Sequence, residues 1–300
     1  MDNTEFEELK KLLFSKEITP FNENRGLEFK FNLMPESLYK YKILNENTIN
    51  LLEKDELYLS SPSSFNDPFD SIFYSSQEVI ETGIKELIKN DYIQLPNKIN
   101  KEELLKEKSI LKVLSNYTDT GKEYEQSFKE IKNLNEHINN KSRNNLKISC
   151  FSEVYDSILM WSHYTNKHEG ICIEYDFKKL GLNNLIIDWF FPMHYTFKRP
   201  EITEFLKNRI KTGIELHKYI FDYISIHKVK DWEYEKEWRI ISRSPHKSII
   251  IPPAKSVYLG VNISKKNKKK ILEIAKEKKF TVYKMIISPS EYKLISEKIN

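Results

Sequence analysis

Apolar and polar positions alternate in short, irregular blocks along most of this chain. A stretch at 6–15 has helical spacing and is followed by a polar loop containing Pro20, Asn22, Asn24 and Gly26; residues 1–35 therefore read as an N-terminal extension. Strand-like runs at 36–44 and 56–60 flank a helix at 48–54, with the period changing from two to 3.6 and back. The segment 61–70, Ser-Pro-Ser-Ser-Phe-Asn-Asp-Pro-Phe-Asp, is a turn-forming loop, since Pro restricts φ and Ser, Asn and Asp bond nearby backbone groups. From 77 to 145 the texture shifts to Lys, Glu, Asn and Ile at helical spacing, which predicts a helical insertion of two or three helices. Short strands return at 146–151, 170–176 and 185–191. A long amphipathic helix is predicted over 202–227, strands at 233–242, 248–251 and 257–261, a basic helix at 265–279 and a strand at 280–287. Strands and helices mix without regular alternation, so the pattern predicts an α+β fold. One domain spans 36–291 and a tail covers 292–300.

Composition narrows the class. Hydrophobic residues make up 39% and charged residues 31%, with 17 Phe and 17 Tyr, enough to build a core. The net charge of +4 permits nucleic-acid contact without arguing for it. The two cysteines, Cys150 and Cys172, are too few for a disulfide framework and lack zinc-clasp spacing. No basic start precedes an apolar core at the N-terminus, and the apolar runs fall short of the roughly 20 residues that span a bilayer. The expectation is a soluble cytoplasmic protein with no membrane partner. Only 7 glycines occur, and no phosphate-cradling loop or dinucleotide fingerprint is present. His163 and His168 lack metal-site spacing, so no histidine-bound metal is expected. Six arginines against 42 lysines make each arginine a question.

Three segments could carry chemistry. Phe65-Asn66-Asp67-Pro68-Phe69-Asp70 sets carboxylates and a carboxamide beside aromatics, either to hold a polar ligand or simply to cap a turn. Cys150-Phe151-Ser152-Glu153 leads to Met160-Trp161-Ser162-His163-Tyr164, where Trp161 and Tyr164 share a helix face and could receive a flat ring or pack a core. Glu233, Glu235, Glu237 and Arg239, on a strand, would project to one face, and a row of carboxylates there needs solvent, a cation or a ligand. A surface ion pair on an edge strand reads equally from the same residues.

These segments, together with Leu38-Tyr39-Lys40-Tyr41 and Leu57-Tyr58-Leu59-Ser60, resemble a bacterial family known as domain of unknown function 2971 over 38–263. At longer range the layout is similar to ADP-ribosyltransferases, especially DNA-modifying toxins. That resemblance implies an ADP-ribosyltransferase-like mixed or antiparallel β core, NAD as substrate, and a nucleic-acid or protein acceptor, with a toxin or phage-defence role. It also implies that Glu237 is the late catalytic glutamate and that Glu235 activates the acceptor. Lys40, Tyr41, Ser60, Asn66, Asp67, Ser152, Trp161, Tyr164 and Arg239 would bind NAD, with Trp161 and Tyr164 walling the nicotinamide. Some relatives carry His at the position of Lys40, and Lys donates hydrogen bonds but cannot accept them. Two rival readings stand beside it: a Mg²⁺-dependent phosphodiesterase or nuclease using Asp67, Asp70, Glu153 and Glu235, and a noncatalytic nucleic-acid or partner-binding module.

Overall fold

A computed structural model of the chain describes residues 1–15, 18–91, 95, 99–115, 136, 137, 139–212, 219–242 and 246–300. Its strands are β1 (Leu38–Lys42), β2 (Glu56–Tyr58), β3 (Lys147–Ser152), β4 (Ile171–Tyr175), β5 (Phe190–Pro192) and β6 (His194–Thr196). They continue with β7 (His227–Val229), β8 (Glu237–Ser242), β9 (Ser248–Ile250), β10 (Ser256–Leu259), β11 (Thr281–Ile287) and β12 (Leu294–Lys298). Eight form one mixed sheet in the order β12-β11-β10-β4-β1-β3-β8-β5. The β10–β11 pair is parallel and the other neighbours are antiparallel. The fold is α+β. Two small sheets, β2–β9 and β6–β7, stand beside it.

Apolar side chains of alternating strand positions bury one sheet face against the helices Glu46–Lys54 and Lys265–Lys278, with Leu51, Ile173, Val257 and Ile271 in the shared core. A second core gathers Leu9, Leu13, Phe191, Ile220 and Ile241 under the N-terminal helix Asn3–Leu13. Two residues fasten the helix Pro20–Leu33, one to the N-terminal helix and one to the sheet. Gly26 meets that first helix so closely that a Cβ would collide with Leu13, and buried Lys30 donates to the carbonyls of Ile187, Asp188 and Phe190 across the Phe191 ring. Within the segment expected to be a helical insertion, Glu78–Lys89, Lys101–Lys106 and Ile110–Ser115 pack around Ile88, Leu104 and Ile110; residues 116–135 lie outside the described residues. Among the described residues no helix is long and apolar enough to cross a membrane.

Several elements differ from their sequence reading for identifiable reasons. The polar loop expected after residue 15 is instead the helix Pro20–Leu33, started by Thr19, whose hydroxyl accepts from the Asn22 amide, with Pro20 at the first helical position. The run 185–191 divides into a short helix, Leu185–Asp188, capped by Asn184, and β5; a continuous apolar run cannot by itself distinguish the two. The helix expected over 202–227 is two helices, Thr203–Thr212 and Ile220–Ser225, ending in β7, with 213–218 outside the described residues. The residues expected as a tail supply the edge strand β12, antiparallel to β11.

Candidate functional site

The site forms where the large sheet parts. β1 pairs with β4 along all five of its residues, but its register with β3 is the single pair Tyr39–Ser152. The two strands diverge, and a cavity of about 370 Å³ lies between them, lined by residues 39–42 from one and 148–152 from the other. Lys40 spans the gap: its ammonium donates to Ser149 Oγ at 2.6 Å and to the Cys150 carbonyl at 2.8 Å, above the Phe151 ring. Side-chain donors thus take over part of the hydrogen bonding that a strand ladder would supply. Burial draws the Lys40 amine down to about 7, with Lys42 adding to the effect.

A buried ion network forms the floor. Arg239 on β8 has no solvent exposure, and all five of its N–H donors are engaged. Nε donates to Glu237 Oε1 at 2.7 Å, Nη1 to Asp70 Oδ1 at 2.9 Å and to the Ser225 carbonyl at 2.7 Å, and Nη2 to Asp70 Oδ2 at 2.5 Å and Glu237 Oε2 at 3.3 Å. Lys228 on β7 donates to Glu235 Oε2 at 2.5 Å and Glu237 Oε2 at 2.7 Å. Tyr164 donates to the other Glu235 oxygen at 2.6 Å. Three carboxylates therefore share two cations, and their environments separate them. Burial would raise Glu237, but Arg239 and Lys228 together hold it well below the usual carboxylate range. Burial raises Glu235, Lys228 opposes the rise and neighbouring Glu237 adds to it, leaving Glu235 above its ordinary value. The cleft thus contains two neighbouring carboxylates whose environments push their pKa values apart, Glu237 down and Glu235 up. Burial pushes the Cys150 thiol up, so it is not an activated nucleophile.

Lys40, Tyr41, Ser60, Asn66, Ser152, Tyr164, Glu235, Glu237 and Arg239 all line this cavity. Ser60 reaches it through a two-way backbone bridge to Ile148, and Ser152 Oγ donates to the Glu235 carbonyl at 2.6 Å. Tyr41 donates to the Val154 carbonyl at 2.9 Å. Two expected residues do not line it. Trp161 is fully buried, its indole donating to the Tyr155 carbonyl at 2.7 Å and its ring set edge-on to Tyr41. The helix Ile158–Tyr164 lays Met160 and Trp161 on the sheet, and of the expected aromatic pair only Tyr164, at its last turn, reaches the cavity. Asp67 turns into its own loop, accepting from the Phe69 amide at 2.8 Å, and its second oxygen is buried without a hydrogen-bond partner. The carboxylates considered for magnesium are dispersed: Asp70 lies against Arg239, Glu235 against Lys228, and Glu153 accepts from the Trp238 indole at 2.8 Å. Among the described residues no group of three or more His, Cys, Asp or Glu is arranged to hold a metal ion.

Glu233, Glu235 and Glu237 do not form the single strand face expected. Residues Lys230–Glu235 are a 3₁₀ turn and β8 begins only at Glu237. Between the two, Lys236 adopts a left-handed backbone at φ 44° and ψ 56°. Lys228 and Tyr195, whose hydroxyl accepts from the Glu237 amide at 2.7 Å, were not legible in the sequence. The only signal for Lys228 was the need of clustered carboxylates for a second cation, and 42 lysines could have met it.

The geometry defines an α+β protein with a split-sheet cleft floored by a buried, arginine-centred ion network. Residues 160–240 match the model of a family described as "Protein of unknown function (DUF2971)", a stretch containing Tyr164, Lys228, Glu235, Glu237 and Arg239. No curated protein and no solved structure matches the chain.

Proposed function

We propose that the cleft acts on NAD as an ADP-ribosyltransferase does, cleaving the bond between ribose and nicotinamide and passing ADP-ribose to a nucleic-acid or protein acceptor. The observation that carries this reading is the meeting of Glu237, held by Arg239 and Lys228, with Glu235, held by Lys228 and Tyr164, on the floor of an aromatic-lined cleft. Loss of nicotinamide develops positive charge on the sugar. A carboxylate already fixed in place stabilises that charge more in the transition state than in the ground state, with no reorganisation at the moment of reaction. Arg239 and Lys228 act as positioning residues, since they keep Glu237 ionised and oriented. Glu235, with its raised pKa and its Tyr164 and Lys228 contacts, accepts the proton of the incoming acceptor. The cavity volume falls within the roughly 300–1,000 Å³ range of small-molecule sites, and Tyr39, Tyr58, Phe65 and Tyr164 supply ring surface for a flat heterocycle.

The test is release of nicotinamide from NAD by the purified chain, with single-stranded and duplex oligonucleotides and a protein mixture as acceptors. Glu237→Gln should lower the rate roughly 10²–10³-fold, the scale of removing one preorganised electrostatic group. Urea unfolding of the same variant checks that the fold persists. If the wild type releases no nicotinamide with any acceptor, the proposal fails.

A further inference from the structure

A second concavity of about 290 Å³ adjoins the first, with Lys228 common to the walls of both. The turn after β6 forms one side, presenting Phe197, Lys198 and Arg199, and Phe69 from the 61–70 loop stands opposite. Both rings are open to solvent, Phe197 at 76% and Phe69 at 58% exposure. Such exposure is costly for two large aromatics in one groove unless something covers them. The Arg199 guanidinium lies over the Phe69 ring, 5.5 Å from its centre. Neither the Lys198 nor the Arg199 side chain pairs with a carboxylate among the described residues, and no Asp or Glu lines the groove. Exposed rings interleaved with unpaired cations match a chain of flat heterocycles joined by phosphates. An acidic peptide would use the cations but offers a flat ring only at its aromatic positions, whereas every nucleotide carries one.

We propose that this groove binds single-stranded nucleic acid, with bases stacking on Phe197 and Phe69 and backbone phosphates meeting Lys198 and Arg199. Lys228 then places the strand beside Glu235, so the groove is the acceptor site; this last role rests on the reading of the cleft as an ADP-ribosyltransferase site, whereas the binding itself does not. Duplex should bind less well, because paired bases hide the faces that the rings need.

Fluorescence anisotropy with labelled oligo-dT, oligo-rU and a duplex of equal length, using the full chain, tests the inference. The expected result is salt-dependent binding of the single strands. Phe197→Ala should weaken it about tenfold, the scale of one base–aromatic stack, and Arg199→Glu should weaken it further and flatten the salt dependence. Both positions are exposed, and circular dichroism reports whether each variant is folded. Absence of single-strand binding, or binding that both variants leave unchanged, overturns the inference. Nicotinamide release by the wild type without oligonucleotide binding, with label appearing on protein, overturns the groove while leaving the cleft reading standing. Single-strand binding that both variants weaken, with no NAD cleavage, supports the groove and removes the cleft reading.

Discussion

Arg239→Lys is the sharpest perturbation of the ion network because it keeps the charge and changes only the geometry. The guanidinium spends five donors on Glu237, Asp70 and the Ser225 carbonyl. An ammonium offers three donors from one nitrogen, so at least two of those five contacts are lost, each to a buried acceptor. At about 1.5–3 kcal/mol for a hydrogen bond involving a charged group, the cost is about 3–6 kcal/mol. That is a large share of the roughly 5–15 kcal/mol that stabilises a typical domain. Urea unfolding at neutral pH should register it as a lower midpoint with an unchanged slope. Arg239→Met should cost at least as much, because Asp70 is then left buried with no cation and Glu237 keeps only Lys228. Combining Asp70→Asn with Arg239→Lys should cost less than the sum of the two changes, since both remove the same contacts. A loss below about 1 kcal/mol for Arg239→Lys would show that Arg239 serves as a simple point charge, and the argument from bidentate geometry would fall.

Other consequences follow from the same groups. Glu237 has a depressed folded pKa, so its contribution to stability is present above the ordinary value of 4.5 and is lost as pH falls below it; acid unfolding of Glu237→Gln should therefore depend less steeply on pH than that of the wild type. Lys40 is a base lowered to about 7, so the cost of burying its charge is complete below pH 7 and fades towards its ordinary 10.5. The stability of Lys40→Met relative to wild type should accordingly be most favourable near pH 6 and decline by pH 9, and a difference that stays flat would contradict the assignment. At Gly170 an added Cβ would strike the Lys42 carbonyl oxygen at the end of β1. Gly170→Ala should lower thermal stability by about 1–3 kcal/mol, the usual cost of overpacking.

The sequence makes the strand content legible because most strands are short runs with turn residues at their ends, and β1, β3, β4, β8, β10 and β11 lie within or nearly coincide with predicted segments. It does not make the helix Pro20–Leu33 legible. Its apolar residues do not line one face: Phe31 and Leu33 pack against one core and Phe29 against the other, while Gly26 and Lys30 anchor it by contacts that leave no periodic signal. The site is partly legible for a related reason. Asn66, Tyr164, Glu235, Glu237 and Arg239 occur in dense polar–aromatic clusters that stand out locally. Lys228 reaches the same floor from a separate segment, and Asp70, though it stands in the 65–70 cluster, meets Arg239 by a long-range pairing that leaves no local pattern. Trp161 was misplaced by the opposite error: the spacing that puts it near Tyr164 on the helix does not say which flank meets the sheet, and volume decides that the indole fills the core.

Lys236 explains how Glu235 and Glu237 meet one lysine although the expected continuous strand does not exist. A strand would have put the two carboxylates on one face some 6–7 Å apart along the chain. Instead the 3₁₀ turn ends at Glu235, and the left-handed Lys236 swings the chain into β8, anchored by its amide on the Glu233 carbonyl and its own carbonyl on the Glu153 amide, each at 3.1 Å. The two carboxylates then converge on Lys228 from different elements. A non-glycine residue in this region costs about 1–2 kcal/mol, which the surrounding bonds offset. Lys236→Gly should therefore leave urea stability within about 1 kcal/mol of wild type, because relief of strain and greater unfolded-state freedom oppose one another. Lys236→Ile should lose a further 1–2 kcal/mol, roughly, as a β-branched side chain resists positive φ, and nicotinamide release should drop with it as Glu235 moves off Lys228. If Lys236→Ile is as stable as wild type, the left-handed junction is not what brings the two glutamates together.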